Sequence, residues 1–392
     1  MRIGIINYYG RFWMVDRYKT SLVILAACCM LMTASGCTEA QPDNQAEPKA
    51  TATTQAVSPE NTVTAEHTDL KSSTDQPDFT QLVNTYGHLG LIDAHNHDAS
   101  GKQFQRMEDV WTKYKVRNVI LFGDVSEHSA ILTDSYSWYA YQSNPDFYIP
   151  YFSGFDLHDP GSLDVVKDNL EKGYFGLGEI AAASTHSPVL SNVEWKANDP
   201  MDGYLPQIYD LIAKYKAPIL LHIDPPSGEP VAKLEQALRQ HPDTTFIFAH
   251  INAYNTPEEV DRLMAKYPNL YADFFAGFSV YNPEGGLHPE LFIPVIKKYP
   301  DRFMLSTDSG YGLDGGEEKA IEGMYRMLYL LDDPQIAQMI ARDNLMKLIQ
   351  MQPATETQLR AIVELEKSTG KSYGENLSKL EAGKILALAD KG

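Results

Sequence analysis

The stretch that decides the fold is Leu89-Gly-Leu-Ile-Asp-Ala-His-Asn-His97. The short apolar run Leu89–Ala94 ends in two histidines two residues apart. On a strand, alternate side chains leave the same face, so both imidazoles point the same way. Further runs of the same kind follow: Val116–Gly123, Phe147–Gly154, Tyr174–Ile180, Pro218–Ile223, Thr245–Ile251, Leu270–Phe275 and Phe303–Thr307. They lack strict polar alternation, which is the pattern of strands buried on both faces.

The segments between these runs have the helical period. Thr256-Pro-Glu-Glu259 is a capping-box pattern with Pro at the first helical position, and Val260, Leu263, Met264 and Tyr267 follow on one face. Val231, Leu234 and Leu238 mark another amphipathic helix. Asp159-Pro160 and Asp333-Pro334 are further helix starts. Strand followed by helix, eight times over about 260 residues, gives an α/β protein of the (β/α)8 TIM-barrel class. The alternative is a doubly wound open sheet. It often carries a Gly-rich phosphate loop, and the sequence has neither GxGxxG nor a Walker motif.

The strand ends carry the chemistry. Run one ends in His95-Asn-His97, run four in Gly178-Glu179, run five in Leu221-His222, run six in Ala249-His250 and run eight in Thr307-Asp308. An HxH alone is weak evidence, and one His at a strand end is more often structural than a ligand. Here metal-capable side chains recur at the rim where TIM-barrel chemistry occurs. Asp93, just ahead of the histidines, reads as structural. His128, His158 and His186 lie in loops, where solvated histidines are the base expectation. The long loop Ala181–Met201 holds His186 and Trp195 and reads as a lid or a plain insertion. Tyr254, Tyr281 and Tyr311 follow runs six, seven and eight and are candidates for the pocket wall.

These motifs resemble the amidohydrolase superfamily. The wording Ile92-Asp-Ala-His-Asn-His97, Gly176-Leu-Gly-Glu179-Ile, Ile219-Leu-Leu-His222 and Phe303-Met-Leu-Ser-Thr-Asp308 looks most like its amidohydrolase-2 branch. The resemblance runs from about residue 89 to 350, including Asn344-Leu-Met-Lys-Leu. It implies one or two divalent cations, zinc foremost. His95, His97 and Asp308 would hold the first, joined by His222 if the site is mononuclear, with His250 then polarising the substrate. In binuclear relatives His222 and His250 hold a second ion, bridged to the first by a carbamylated Lys or a Glu after strand four. Glu179 fits that bridge, or alternatively a carboxylate that orients a histidine. No Lys stands at that strand end. Gly-Glu-Ile at Glu179 is also similar to the TatD-like nucleases.

The chain has 392 residues, with 52 acidic and 33 basic residues and a formal charge of -19. Such a surface repels phosphate backbones, so a small molecule is expected as substrate rather than nucleic acid. All three cysteines, Cys28, Cys29 and Cys37, precede the barrel, so a metal there is held by nitrogen and oxygen. Arg17 and Lys19 precede the apolar run from Ser21 to Met32, which is short for a span of ~20 residues. The run exits through Ala34-Ser-Gly-Cys37, which resembles the bacterial lipobox with Ala34 where Leu is usual. Residues 1–36 therefore read as a lipoprotein signal peptide, with Met14 the more ordinary start and a non-cleaved anchor as the alternative. A lipid on Cys37 would place the protein in the bacterial cell envelope. Residues 37–80, without aromatics as far as about residue 77, read as a disordered tether reaching roughly 35 Å. Residues 81–352 are the barrel and 353–392 a helical hairpin, whose second helix opens with the capping-box pattern Ser378 to Glu381.

The resemblance makes hydrolysis of an amide, ester, lactone or phosphoester the leading expectation, with Asp308 as base and His250 assisting the oxyanion. A metal-dependent decarboxylase of the same branch is the second reading. It calls for a cation near the metal, and Lys102 and Lys196 lie only in loops. A non-catalytic surface-binding lipoprotein is the third. The acidic surface weighs against a nuclease.

Overall fold

The computed structural model describes residues 76–281 and 287–389. Cys37, the leader and most of the stretch read as a tether lie outside the described residues. Among the described residues the first element is helix α1 (Phe79–Tyr86), closed by a capping box between Asp78 and Gln81. It begins within the tail end of that stretch.

Eight parallel strands follow in sequential order: β1 (Ile92–Asn96), β2 (Asn118–Leu121), β3 (Tyr148–Phe152), β4 (Gly176–Ala183), β5 (Ile219–Ile223), β6 (Phe246–Phe248), β7 (Leu270–Phe275) and β8 (Phe303–Ser306). Between them run α2 (Phe104–Lys113), α3 (His128–Ser143), α4 (Ser162–Lys172), α5 (Leu205–Tyr215), α6 (Glu229–Gln240), α7 (Pro257–Lys266), α8 (Ala276–Tyr281) and α9 (Pro289–Lys298). After β8 come α10 (Gly316–Leu331), α11 (Pro334–Gln338) and α12 (Asn344–Gln350). The sequential order is that of a (β/α)8 TIM barrel and excludes the doubly wound sheet. At the seam between β8 and β1, Asp93 acts as a clasp. Its Oδ1 accepts the Thr307 N–H at 2.9 Å and its Oδ2 accepts the Thr307 hydroxyl at 2.6 Å.

The strands form where the apolar runs predict them, because each buries nearly its whole length. Tyr148, Tyr151, Phe152, Phe246 and Phe248 are fully buried, and burying each such ring contributes roughly 2–3 kcal/mol. Ala181–Ala183, expected as loop, continue β4, and the loop starts at Ser184. Gly178 has φ +150°, and a Cβ there would come 2.6 Å from Leu220 Cβ. Glycine therefore lets β4 approach β5 just before Glu179.

Thr256 caps α7 by accepting the Glu259 N–H, but Glu259 does not complete the box; its carboxylate binds Arg262. Asp333 caps α11 as expected. Asp159 instead accepts the Gly161 N–H, and α4 starts at Ser162. At the carboxyl end, α13 (Glu356–Thr369) and α14 (Lys379–Ala389) form two helices, the second headed by the reciprocal Ser378–Glu381 bonds. They pack near the start of β4, where Gln352 Nε2 donates to the Phe175 carbonyl at 2.7 Å and Lys379 Nζ to the Tyr174 carbonyl at 3.0 Å.

Candidate metal centre

His95 ends β1 next to Asn96, and His97 lies just past the strand. Their Nε2 atoms are 3.0 Å apart. His95 Nδ1 is 2.7 Å from Asp273 Oδ2, and His97 Nδ1 is 2.8 Å from the Gly123 carbonyl oxygen. Those oxygens accept, so each Nδ1 carries the hydrogen and each Nε2 presents a lone pair. Asp308 Oδ1 lies 3.4 Å from His95 Nε2 and 3.5 Å from His97 Nε2. Glu179 Oε2 lies 3.5 Å and 3.9 Å from His97 and His95 Nε2. With the rings neutral, these nitrogen and carboxylate oxygen atoms converge as acceptors.

A second set adjoins the first. His222 Nε2 is 3.3 Å from Asp224 Oδ2, which leaves its Nδ1 lone pair aimed inward. That Nδ1 is 2.9 Å from Glu179 Oε1 and 3.0 Å from His250 Nε2, and His250 Nε2 is 3.2 Å from Glu179 Oε1. The Glu179 carboxylate thus gives one oxygen to each set. Among the described residues, His95, His97 and Glu179, and again Glu179, His222 and His250, are grouped closely enough for each trio to hold an ion.

These donors fit divalent cations. Ligand bonds of 2.0–2.1 Å at tetrahedral angles place two nitrogens about 3.3 Å apart. The His95–His97 and His222–His250 nitrogen pairs, each at 3.0 Å, are close to that spacing. Nitrogen and carboxylate donors with no thiolate suit zinc or manganese. The electrostatics agree. Burial opposes a charge on His95, yet Asp308, Glu179 and Asp273 overcome it and hold its pKa up at about 10. Burial opposes a charge on His222 too, and Glu179 and Asp224 hold it up at about 9. Burial alone would raise Glu179, but His222 and His95 keep it well below the usual carboxylate range. Asp308 is likewise lowered against its burial, by His95 first and then His97. The site draws positive charge inward.

The backbone is bent to this purpose. His250, Asp308 and Ser309 have φ of 35°, 44° and 46°, in the left-handed region that non-glycine residues rarely adopt. Asp273 Oδ2 accepts the His250 N–H at 3.0 Å, and Ser309 Oγ accepts the His97 N–H at 2.9 Å. One buried carboxylate therefore fixes both the His95 ring and the His250 backbone.

The structure brings together His95, His97, Glu179, His222, His250 and Asp308. Asp93 stays out, bound to Thr307 and Asn96. His128 sits by Glu194 and Trp195, His158 by Asp202, and His186 by Asp224 and Tyr254. Sequence reasoning missed Asp273 and Asp224. The signal for Asp273 was a charge inside the otherwise apolar run Leu270–Phe275; Asp224 follows β5 directly.

The centre opens into a cavity of about 390 Å³, whose wall includes Tyr254 and Tyr311. Tyr281 instead bonds Arg326 and lies under Lys319. Val189 and Leu190, in the loop after β4, line the cavity as well. That loop is fastened down: Asp224 accepts from Ser184 Oγ at 2.6 Å, Thr185 N at 2.7 Å and Ser187 N at 2.9 Å. Trp195 is buried, and its backbone N–H donates to the Ser126 carbonyl.

Residues 176–349 match the family described as Amidohydrolase. No curated protein matches the chain. Among solved structures, it is similar to a probable 2-pyrone-4,6-dicarboxylic acid hydrolase from Acinetobacter baumannii. That match has 13% identity and a TM-score of 0.46, over 66% of this chain and 98% of the other. A 2,6-dihydroxybenzoate decarboxylase matches at 13% identity and TM-score 0.41, over 66% and 98% of the two chains. A TatD family hydrolase from Entamoeba histolytica matches at 11% and 0.38, over 70% and 90%.

Proposed function

We propose that this chain is a metal-dependent hydrolase of the amidohydrolase-2 type, with two cation positions bridged by Glu179. The observation that carries the reading is the Glu179 carboxylate, one oxygen facing each set of donors. His95, His97, Asp308 and Glu179 would hold one cation, and His222, His250 and Glu179 the other. When bound, such cations supply a water acidified toward neutral pH and Lewis-acid pull on the substrate's acceptor oxygen.

The chain's own residues do the rest. Asp308 lies at the cavity wall with its side chain 13% exposed, so its carboxylate meets both the donor cluster and the substrate space. It takes the proton of the attacking water and returns it to the leaving group. Asp273 and Asp224 keep His95 and His222 in the tautomers that aim lone pairs inward. The loop after β4 is fastened at one side of the cavity and sets Val189 and Leu190 in its wall.

Hydrolysis is preferred to decarboxylation because no Arg or Lys is found among the described residues lining the cavity. Lys102 rests over the Tyr136 ring, and Lys196 donates to the carbonyls of Ser184 and Ser191. The test is a panel of amides, esters, lactones and aromatic carboxylates, before and after chelation and after return of zinc or manganese. Hydrolysis lost on chelation and regained with metal supports the proposal. Metal-dependent release of CO₂ with no hydrolysis overturns it in favour of the lyase.

The envelope location is part of the same proposal and rests on Ala34-Ser-Gly-Cys37 after its apolar run. Cys37→Ala should block processing or release the protein from membranes. Unchanged mature mass and membrane retention in that variant would refute the anchor.

A further inference from the structure

The cavity wall is divided by charge. The loop after β2 supplies Asp124 and Glu127, both half-buried. Tyr254 follows β6, Phe275 ends β7, Phe278 lies in α8, and Tyr311 follows β8. In a ring of eight strands in sequential order, β2 and β6 stand opposite each other. The two carboxylates of that loop therefore stand across the ring from Tyr254, and the other aromatic rings follow it round the wall as far as β8. The lining residues include no Arg or Lys, and the sequence 282–286 carries neither.

The metal centre does not reverse this balance. The carboxylates of Glu179, Asp308, Asp273 and Asp224 match the charge of two divalent cations in number. The centre is then close to neutral, and Asp124 and Glu127 set the sign of the field over the remaining space. A second carboxylate or phosphate on a substrate would meet like charge at one wall and apolar rings at the other, with no cation beyond the metals to receive it. An ammonium would meet two carboxylates and aromatic faces that attract cations.

We infer that the cavity takes a small amide, ester or lactone with an apolar body and no anionic group, and that it favours one carrying an ammonium. The inference rests on the hydrolytic reading above. The volume of about 390 Å³ suits a molecule of one ring or a short acyl chain. Asp124 and Glu127 receive the cationic end, while the rings of the β6 to β8 side hold the apolar body.

The experiment uses the metal-loaded full chain and 4-nitrophenyl esters of one acyl length, ending in a methyl, a trimethylammonium or a carboxylate. The expected order of kcat/KM is cation, neutral, anion. The cation should gain about fivefold over the neutral ester, the upper range for a half-exposed pair. The anion should lose about tenfold through like charge. In Asp124→Asn/Glu127→Gln the ratio of cation to anion should collapse toward one. Calorimetric binding of phenylethylammonium against phenylethanol reads the same preference without turnover. Tighter binding of the ammonium with no ester cleaved sinks the hydrolase reading and keeps the cavity preference. The preference is overturned by equal or weaker ammonium binding, by a cationic ester slower than the neutral one, by an anionic ester as fast as it, or by a ratio unchanged in the double variant.

Discussion

The two ends of the barrel both bury ionisable side chains, and they do so in opposite ways. Near the start of β4, donors meet backbone acceptors. Lys379 reaches the Tyr174 carbonyl, Gln352 the Phe175 carbonyl and Thr355 the Glu171 carbonyl. At the mouth, four histidines and two carboxylates converge, and His95, His97 and His222 turn their other ring nitrogens outward to Asp273, Gly123 and Asp224. A buried polar group with its partner is architecture, whereas a cluster of acceptors without donors is a place for cations. The difference separates scaffold from site within one fold.

Breaking the mouth should have the largest effect. Asp308→Asn keeps an oxygen donor and removes the base. It should retain much of the metal yet lose turnover beyond the ~10²–10⁴ of a general base, because the water loses its orientation as well. His95→Ala should lose metal and activity together. Metal content and kcat measured on the same samples separate the two. Near wild-type turnover in Asp308→Asn would assign the base to another group.

Asp273→Asn sharpens the contrast. It replaces the acceptor that fixes the His95 ring and weakens the hold on the His250 backbone. A loss of about 10–100-fold in metal affinity is expected, with folding intact. Affinity measured by competition with a chelator checks it, and no change would make Asp273 a bystander.

At the other end, Gln352→Ala should cost about 1–3 kcal/mol in denaturant unfolding and leave turnover unchanged, because it orphans buried carbonyls far from the cluster. Lys379 gives an effect tied to pH. Burial lowers its pKa to about 7, with only Glu171 pulling the other way. Between about pH 7 and the unfolded value near 10.5, the unfolded chain binds more protons there than the folded one. Stability should therefore rise with pH across that window, and Lys379→Met should flatten the rise. A thermal-unfolding series from pH 7 to about 10 reads it.

Much of this was legible in the sequence, and the part that was not has a physical reason. The apolar runs fall on the observed strands because strands buried on both faces leave few choices of residue. Their ends were less legible. Thr245–Ile251 shrinks to Phe246–Phe248, where the chain turns toward the left-handed His250. The six rim residues could be read because strand ends share one face of the ring. Asp273 could not, because its partner His95 is 178 residues away and only closure of the barrel joins them. Asp224 escaped for a similar reason, since its bonds run to β5 and to the loop after β4. The half-made box at Thr256 shows a local pattern giving way to a neighbour, because Arg262 takes the Glu259 carboxylate.

The central claim is that Glu179 joins two cation positions. The most direct measurement is the number of divalent ions bound per chain, by elemental analysis of the purified protein after reconstitution with zinc or manganese. The account predicts two per chain. One ion or none would contradict it.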